Sequence, residues 1–147
     1  MEKERSANHD TFVIEKTYKA APDRVFAAWS DPESKAQWFP RAEKFEFRVG
    51  GQEFNRGGPT DGPVYTYDAR YQEIVPDRRI VYSYVMDMGD TRISVSVTTV
   101  EFRPAGEGTR LVYTEQGVYL DGHDTPEQRQ HGTNVLLDRL SQALGEG

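Results

Sequence analysis

A-P-D-R-V-F-A-A-W-S-D-P-E-S-K-A-Q-W-F-P, residues 21–40, is the stretch that decides the fold. It reads as two short helical turns in tandem, each begun by a proline. Pro22 and Pro32 stand at first helical positions, where the missing N–H costs nothing. Asp31, just before Pro32, supplies a side-chain acceptor for the orphan amides of the second turn. Val25, Phe26 and Trp29 share one face of the first helix, and Trp38 with Phe39 closes the second. Four large aromatics thus fall between residues 26 and 39, more apolar surface than two short helices can bury against each other. The segment needs a sheet to lie on.

Strand patterns flank it on both sides. Thr11–Lys19 is β-branched and aromatic with partial alternation and runs into Ala20-Ala21-Pro22. After Pro40 the period becomes two: Phe45, Phe47 and Val49 alternate with Glu46 and Arg48, and Gly50-Gly51 turns the chain into Gln52–Arg56, predicting a hairpin. Residues 57–63, G-G-P-T-D-G-P, form the richest turn cluster. Four long strands then follow, over 65–75, 79–86, 91–103 and 109–118, separated by Pro76-Asp77, Met88-Gly89-Asp90 and Pro104–Gly108. The last element opens with Thr125-Pro126-Glu127-Gln128, a Thr-x-x-Gln capping box, and stops at Gly145, predicting a helix of about twenty residues. Its apolar stripe is expected to comprise Gly132, Val135, Leu136, Leu140, Ala143 and Leu144, with Gln130, Thr133, Asp138 and Gln142 facing water. The order strand, two short helices, about six strands, long helix is α+β, one curved antiparallel sheet with the helices on one face. A single helix cannot touch every inward side chain of such a sheet. A cavity between the two is expected, closed at one end by the short helices.

Composition narrows the functions. The 147 residues make one domain, taken as residues 11–147 behind a charged, flexible tail over 1–10. That tail has no apolar core, so it is not an export signal, and a cytoplasmic protein is expected. No apolar run approaches the roughly 20 residues of a membrane span, so no membrane partner is expected. A net charge of −6 with no basic cluster speaks against nucleic acid. The absence of cysteine removes disulfides, thiolate nucleophiles and thiolate-ligated metals. Gly-x-Ser-x-Gly, His-Glu-x-x-His and phosphate-loop motifs are missing, so hydrolase, metalloprotease and nucleotide-enzyme readings have no support. His123, His131 and Asp124 offer no third ligand at useful spacing, and no metal or cofactor is expected.

Taken in order, these residues resemble the START-like or SRPBCC superfamily, and within it the branch related to the C-terminal domain of activators of the heat-shock chaperone ATPase. The resemblance rests on Phe12–Thr17, Ala21-Pro22-x-x-Val25-Phe26-x-Ala28-Trp29, Asp31-Pro32-Glu33 with Trp38-Phe39, and Phe47–Gly51. It continues through Tyr71-x-Glu73-Ile74-x-Pro76-x-x-Arg79-Ile80-Val81, Val100–Pro104, Gly108–Leu111 and Leu137–Leu140. It implies a helix-grip fold around a hydrophobic pocket, in a group ranging from lipid and hormone binders to polyketide cyclases and chaperone regulators. Members of the family commonly carry an aromatic after the helix glycine, here Gly132-Thr133, and often a His where this chain has Glu115.

The candidate pocket residues follow from the strand faces. Phe54, Tyr65, Tyr67, Tyr82, Tyr84, Met86 and Tyr113 are the candidate sheet wall, although the same tyrosines would equally suit a dry core, the outer face of the sheet or a dimer interface. Trp29, Trp38 and Phe39 are candidates for the cavity mouth, or anchors of the short helices. Gly132 and Leu136 would face the wall from the long helix. Glu115, if inward, puts a carboxylate in the pocket; otherwise it is exposed or paired with an arginine. The expected function is binding of a hydrophobic or aromatic small molecule by a monomer or homodimer, more a binder than an enzyme. The alternatives are a module acting on a chaperone, as the resemblance implies, and a cyclase- or hydrolase-like enzyme using Glu115.

Overall fold

The computed structural model describes residues 4–146. Seven strands form one antiparallel sheet: β1 (Ala7–Tyr18), β2 (Lys44–Phe45), β3 (Gln52–Gly57), β4 (Tyr65–Val75), β5 (Arg79–Met88), β6 (Thr91–Ala105) and β7 (Gly108–Leu120). Their order across the sheet is β1-β7-β6-β5-β4-β3-β2. Helices α1 (Pro22–Ser30) and α2 (Pro32–Lys35) follow β1, and α3 (Pro126–Ala143) ends the chain. This is the α+β helix-grip arrangement, with α3 lying against one face of the curved sheet.

The 21–40 segment folds as its prolines dictate. Pro22 and Pro32 start α1 and α2, and the Asp31 carboxylate accepts from the Ser34 N–H and hydroxyl, both at 2.9 Å. Val25, Phe26, Ala28 and Trp29 are buried against the sheet. The Trp38 indole donates to the Ala28 carbonyl at 3.0 Å and its ring centroid lies 4.7 Å from that of Trp29.

Three expectations are corrected. β1 begins at Ala7 and pairs with Leu120 at that end, so residues 7–10 belong to the sheet; residues 1–3 of the expected tail lie outside the described residues. The 45–56 hairpin is shorter than its alternation suggests, since only Lys44 and Phe45 pair with β3. The chain doubles back at once because a Cβ on Gly51 would stand 2.1 Å from the Glu46 carbonyl oxygen, a closeness only glycine permits. Gly50 and Gly51 bond instead to the backbone of Tyr71, and Phe47 tucks against Phe26 and Tyr71.

The third correction concerns α3, which is turned relative to the expected stripe. Thr133, Leu137, Leu140 and Leu144 are buried, while Val135 and Ala143 face solvent. The buried set keeps i, i+4, i+7, i+11 spacing, and the hydroxyl of Thr133 satisfies itself by donating to the Arg129 carbonyl at 2.9 Å. Thr125 accepts from the Gln128 N–H at 3.1 Å as the capping box predicts, and Gly145 has φ +79, the left-handed conformation that stops a helix.

Antiparallel register fixes which side chains look toward α3. Opposite residues share a face, so Asn55–Tyr67–Met86–Ser94–Tyr119 and Glu53–Ala69–Tyr84–Ser96–Gly117 form successive inward rows across the sheet. A bulge at Ile93, where β6 carries one residue more than β5, keeps Ser94 on the inward face.

Candidate functional site

Between the sheet and the N-terminal half of α3 lies a cavity of about 280 Å³. Its sheet wall is Tyr67, Tyr82, Tyr84, Met86 and Tyr113, its helix wall is Arg129, Gly132, Thr133 and Leu136, and Phe39-Pro40 closes one end. The expected residues that meet here are therefore Phe39, Tyr67, Tyr82, Tyr84, Met86, Tyr113, Gly132 and Leu136. The rest lie elsewhere. Trp29 and Trp38, each 3% exposed, pack on one another at a tilt of 59° in the core beneath α1. Tyr65 sits at the outer end of β4, beside Gly58. Phe54 points to the opposite face and lies 5.5 Å from the Arg56 guanidinium. Since the side-chain period in a strand is two, an inward Asn55 requires an outward Phe54.

Glu115 sits behind the wall with no exposed surface. It is held by hydroxyls: Tyr84 donates to one carboxylate oxygen at 2.9 Å, and Tyr113 and Thr98 donate to the other at 2.9 and 3.2 Å. Register explains the set, because Thr98 stands directly opposite Glu115. Tyr113 is two residues away on the same face of the same strand. Burial, with the carboxyl of Glu115 among the nearby charges, pushes the phenols of Tyr84 and Tyr113 well above their ordinary value, so both stay protonated donors.

Arg129, one turn into α3, closes this end of the cavity and was not among the expected residues. It donates to the Tyr84 hydroxyl, the Ser94 hydroxyl and the Asp124 carboxylate, each at 2.8 Å, and lies 3.6 Å from Glu115. Its guanidinium is also 5.6 Å from the Tyr84 ring and 5.3 Å from the Tyr119 ring. Burial opposes its charge, but Tyr84, Glu115 and Asp124 outweigh that and hold its pKa above the ordinary value. Arg129, Thr133 and Leu137 are spaced by four, so an inward Thr133 implies an inward Arg129, but the sequence pattern puts Thr133 on the water face and hides that signal.

Asn55 was also missed. It is 7% exposed, lines the cavity, and its amide nitrogen has no hydrogen-bond partner among the described residues. Beneath Phe39, outside the cavity, Lys35 and Glu53 form a buried pair at 2.7 Å, and Tyr71 donates to the same carboxylate oxygen. Among the described residues no three His, Cys, Asp or Glu side chains gather as metal ligands, and no helix is long and apolar enough to cross a membrane.

Comparison with known proteins agrees with this geometry. A family model described as "Activator of Hsp90 ATPase homolog 1-like protein" matches residues 19–145. A crystal structure of a protein from Rhizobium loti is 46% identical, covering 94% of this chain and 99% of that one, with a TM-score of 0.90. An uncharacterized protein from Rhizobium leguminosarum is 47% identical, covering 97% and 99%, also with a TM-score of 0.90. CalU16 from Micromonospora echinospora, 19% identical over 95% of this chain and 84% of its own, shares the fold with a TM-score of 0.67. A comparison with curated proteins finds no match.

Proposed function

The chain belongs to the Activator of Hsp90 ATPase homolog 1-like family, within the START-like superfamily that its sequence resembles, and from that premise we propose that it binds a small, largely apolar molecule in the cavity under α3. One observation carries this reading. The sheet and helix meet in full at the C-terminal half of α3, where Leu137, Leu140 and Leu144 are buried, and they stand apart over the N-terminal half, where four aromatic rings and Met86 face about 280 Å³ of space. Cavities lined by large side chains are rare in close-packed interiors and destabilise them, so one this size argues for use. Its volume falls just below the roughly 300–1,000 Å³ of small-molecule sites, which suits a compact two-ring molecule better than a long-chain lipid.

Affinity would come from apolar burial at about 25 cal/mol per Å², less the cost of ordering the ligand. The phenols of Tyr82, Tyr84 and Tyr113 are already engaged with one another or with Glu115, so they present ring faces rather than free hydroxyls. The family's description also names a chaperone-ATPase activator. The Asn55 amide, a buried donor on the cavity wall with no partner among the described residues, favours small-molecule binding over that alternative.

Leu136→Trp tests the reading, because Leu136 is only half-buried and its enlargement fills the cavity from the helix side. An uncharged fluorescent naphthalene dye is expected to bind the parent protein and to lose binding in the variant, with the thermal midpoint preserved or raised. Equal dye binding by both proteins would place the site elsewhere.

A further inference from the structure

The polar groups around the cavity differ in how far they are already satisfied, and the difference defines the chemistry of the guest. Resting on the binding reading above, we propose that the ligand is an uncharged molecule that turns a hydrogen-bond acceptor toward Asn55, and that the cavity discriminates against carboxylates.

Four buried side-chain atoms lack a partner among the described residues: Trp29 Nε1, Glu53 Oε2, Asn55 Nδ2 and Ser96 Oγ. Of these residues, Asn55 alone is on the cavity wall. β3 holds it inward opposite Tyr67, in the row that continues through Met86 and Ser94. A buried amide donor left unpaired is destabilising, and a bound carbonyl, ether or ring-nitrogen acceptor would relieve that cost. Asn55 therefore acts as the anchor that sets which edge of the ligand enters first.

The opposite end excludes charge. An anion needs a cation with free donors, and Arg129 is the cation in the wall. Three of its five N–H donors go to Tyr84, Ser94 and Asp124, and the nitrogen that bonds Tyr84 also lies 3.6 Å from Glu115. Glu115 and Asp124 set two carboxyl groups against that one guanidinium. A ligand carboxylate would lose its hydration and meet two carboxyl groups beside that guanidinium, which the neutral Asn55 amide does not offset. An uncharged molecule meets none of these penalties, and the ring faces of Tyr67, Tyr82 and Tyr84 accept its apolar body.

Three two-ring probes of nearly equal shape separate the terms: naphthyl methyl ketone has an acceptor, isopropylnaphthalene has none, and naphthoate is charged. Dissociation constants are read by titration calorimetry, with chemical shifts of cavity residues reporting the place of binding. The ketone is expected to bind about fivefold tighter than the hydrocarbon, the worth of one neutral hydrogen bond. Naphthoate is expected to bind at least about tenfold more weakly than the ketone, since like charges juxtaposed in a site are strongly disfavoured. Asn55→Leu should erase the preference for the ketone while leaving the hydrocarbon's affinity unchanged or improved. If that variant does not fold, the order of the three probes on the parent protein decides the matter by itself. Equal binding of ketone and hydrocarbon, or tightest binding of naphthoate, overturns this inference and leaves the cavity reading standing. Failure of all three to shift any cavity resonance overturns the cavity reading, and this one with it.

Discussion

Arg129 of α3 approaches Glu115 of β7 to 3.6 Å, yet each is satisfied chiefly by other partners: the arginine by Tyr84, Ser94 and Asp124, the glutamate by Tyr84, Tyr113 and Thr98. Tyr84 belongs to both sets, accepting from the guanidinium and donating to the carboxylate. It links helix to sheet across the end of the cavity. The network is thus a structural brace as well as a wall, and its parts cannot be removed independently.

Glu115→Leu should therefore be severe. Three hydroxyl donors and a nearby guanidinium lose their acceptor, and the loss is expected to be about 3–5 kcal/mol. Glu115→Gln keeps a carbonyl for one donor pair and should cost less, about 1–2 kcal/mol. Urea denaturation of both variants measures the difference; a Glu115→Leu protein as stable as the parent would mean the network contributes nothing to folding.

The Lys35–Glu53 pair gives a second expectation. Lys35 is 4% exposed, its ammonium lies 4.6 Å from the Phe39 ring centroid, and Glu53 is 1% exposed with its second oxygen unpaired. Lys35→Met alone leaves a buried carboxyl held only by Tyr71 and should cost about 3–5 kcal/mol. Lys35→Met combined with Glu53→Leu removes both charges and should recover most of that loss. A double variant no better than the single one would show that shape, rather than charge pairing, governs the site.

Alkaline pH supplies a third. Burial raises the phenol pKa of Tyr18, Tyr67, Tyr71, Tyr82, Tyr84, Tyr113 and Tyr119 above the ordinary 10.0. These groups hold their protons more tightly folded than unfolded. Their contribution to stability is complete below pH 10 and is lost as pH rises above it toward the folded values. Phenolate absorbance of the native protein at pH 10 should fall far short of that of the denatured chain, and the unfolding midpoint should drop steeply only above that pH. Half-ionisation of the tyrosines at pH 10 without unfolding would contradict the burial.

Thr125→Ala removes the acceptor for the Gln128 N–H and should cost about 1 kcal/mol, with Thr125→Ser nearly neutral. Because Arg129 lies in the turn this cap secures, the alanine variant should also weaken dye binding, which separates it from a substitution felt only in the helix backbone.

The parts of the fold governed by local rules were legible in the sequence. Pro22, Pro32, Asp31 and Thr125 define helix starts by chemistry that needs no tertiary partner, and the four long strands announce themselves by period and turn residues. What escaped was decided by neighbours. Phe54 and Asn55 are adjacent on β3, and apolarity favours the phenylalanine as the inward one. Pairing of Asn55 with Tyr67 and Glu53 with Ala69 settles it the other way. On α3, Val135 and Ala143 look like stripe residues, whereas Thr133 is buried through a bond to its own helix that no hydrophobicity scale counts. Arg129 and Lys35 carried no sequence signal of burial, because carboxylates that pair with them lie on distant strands.

The two ends of α3 are tethered unequally. At the C-terminal end the Tyr18 hydroxyl donates to the Leu137 carbonyl, Arg24 donates to that of Leu144, and the Glu146 carboxylate accepts from the amides of Lys19 and Ala20. At the other end, across the cavity, Arg129 is the principal strut. The helix is a beam clamped at one end and propped at the other. Removing the prop should loosen the N-terminal turns of α3 before the rest of the domain, and amide hydrogen exchange would read the difference between its two ends.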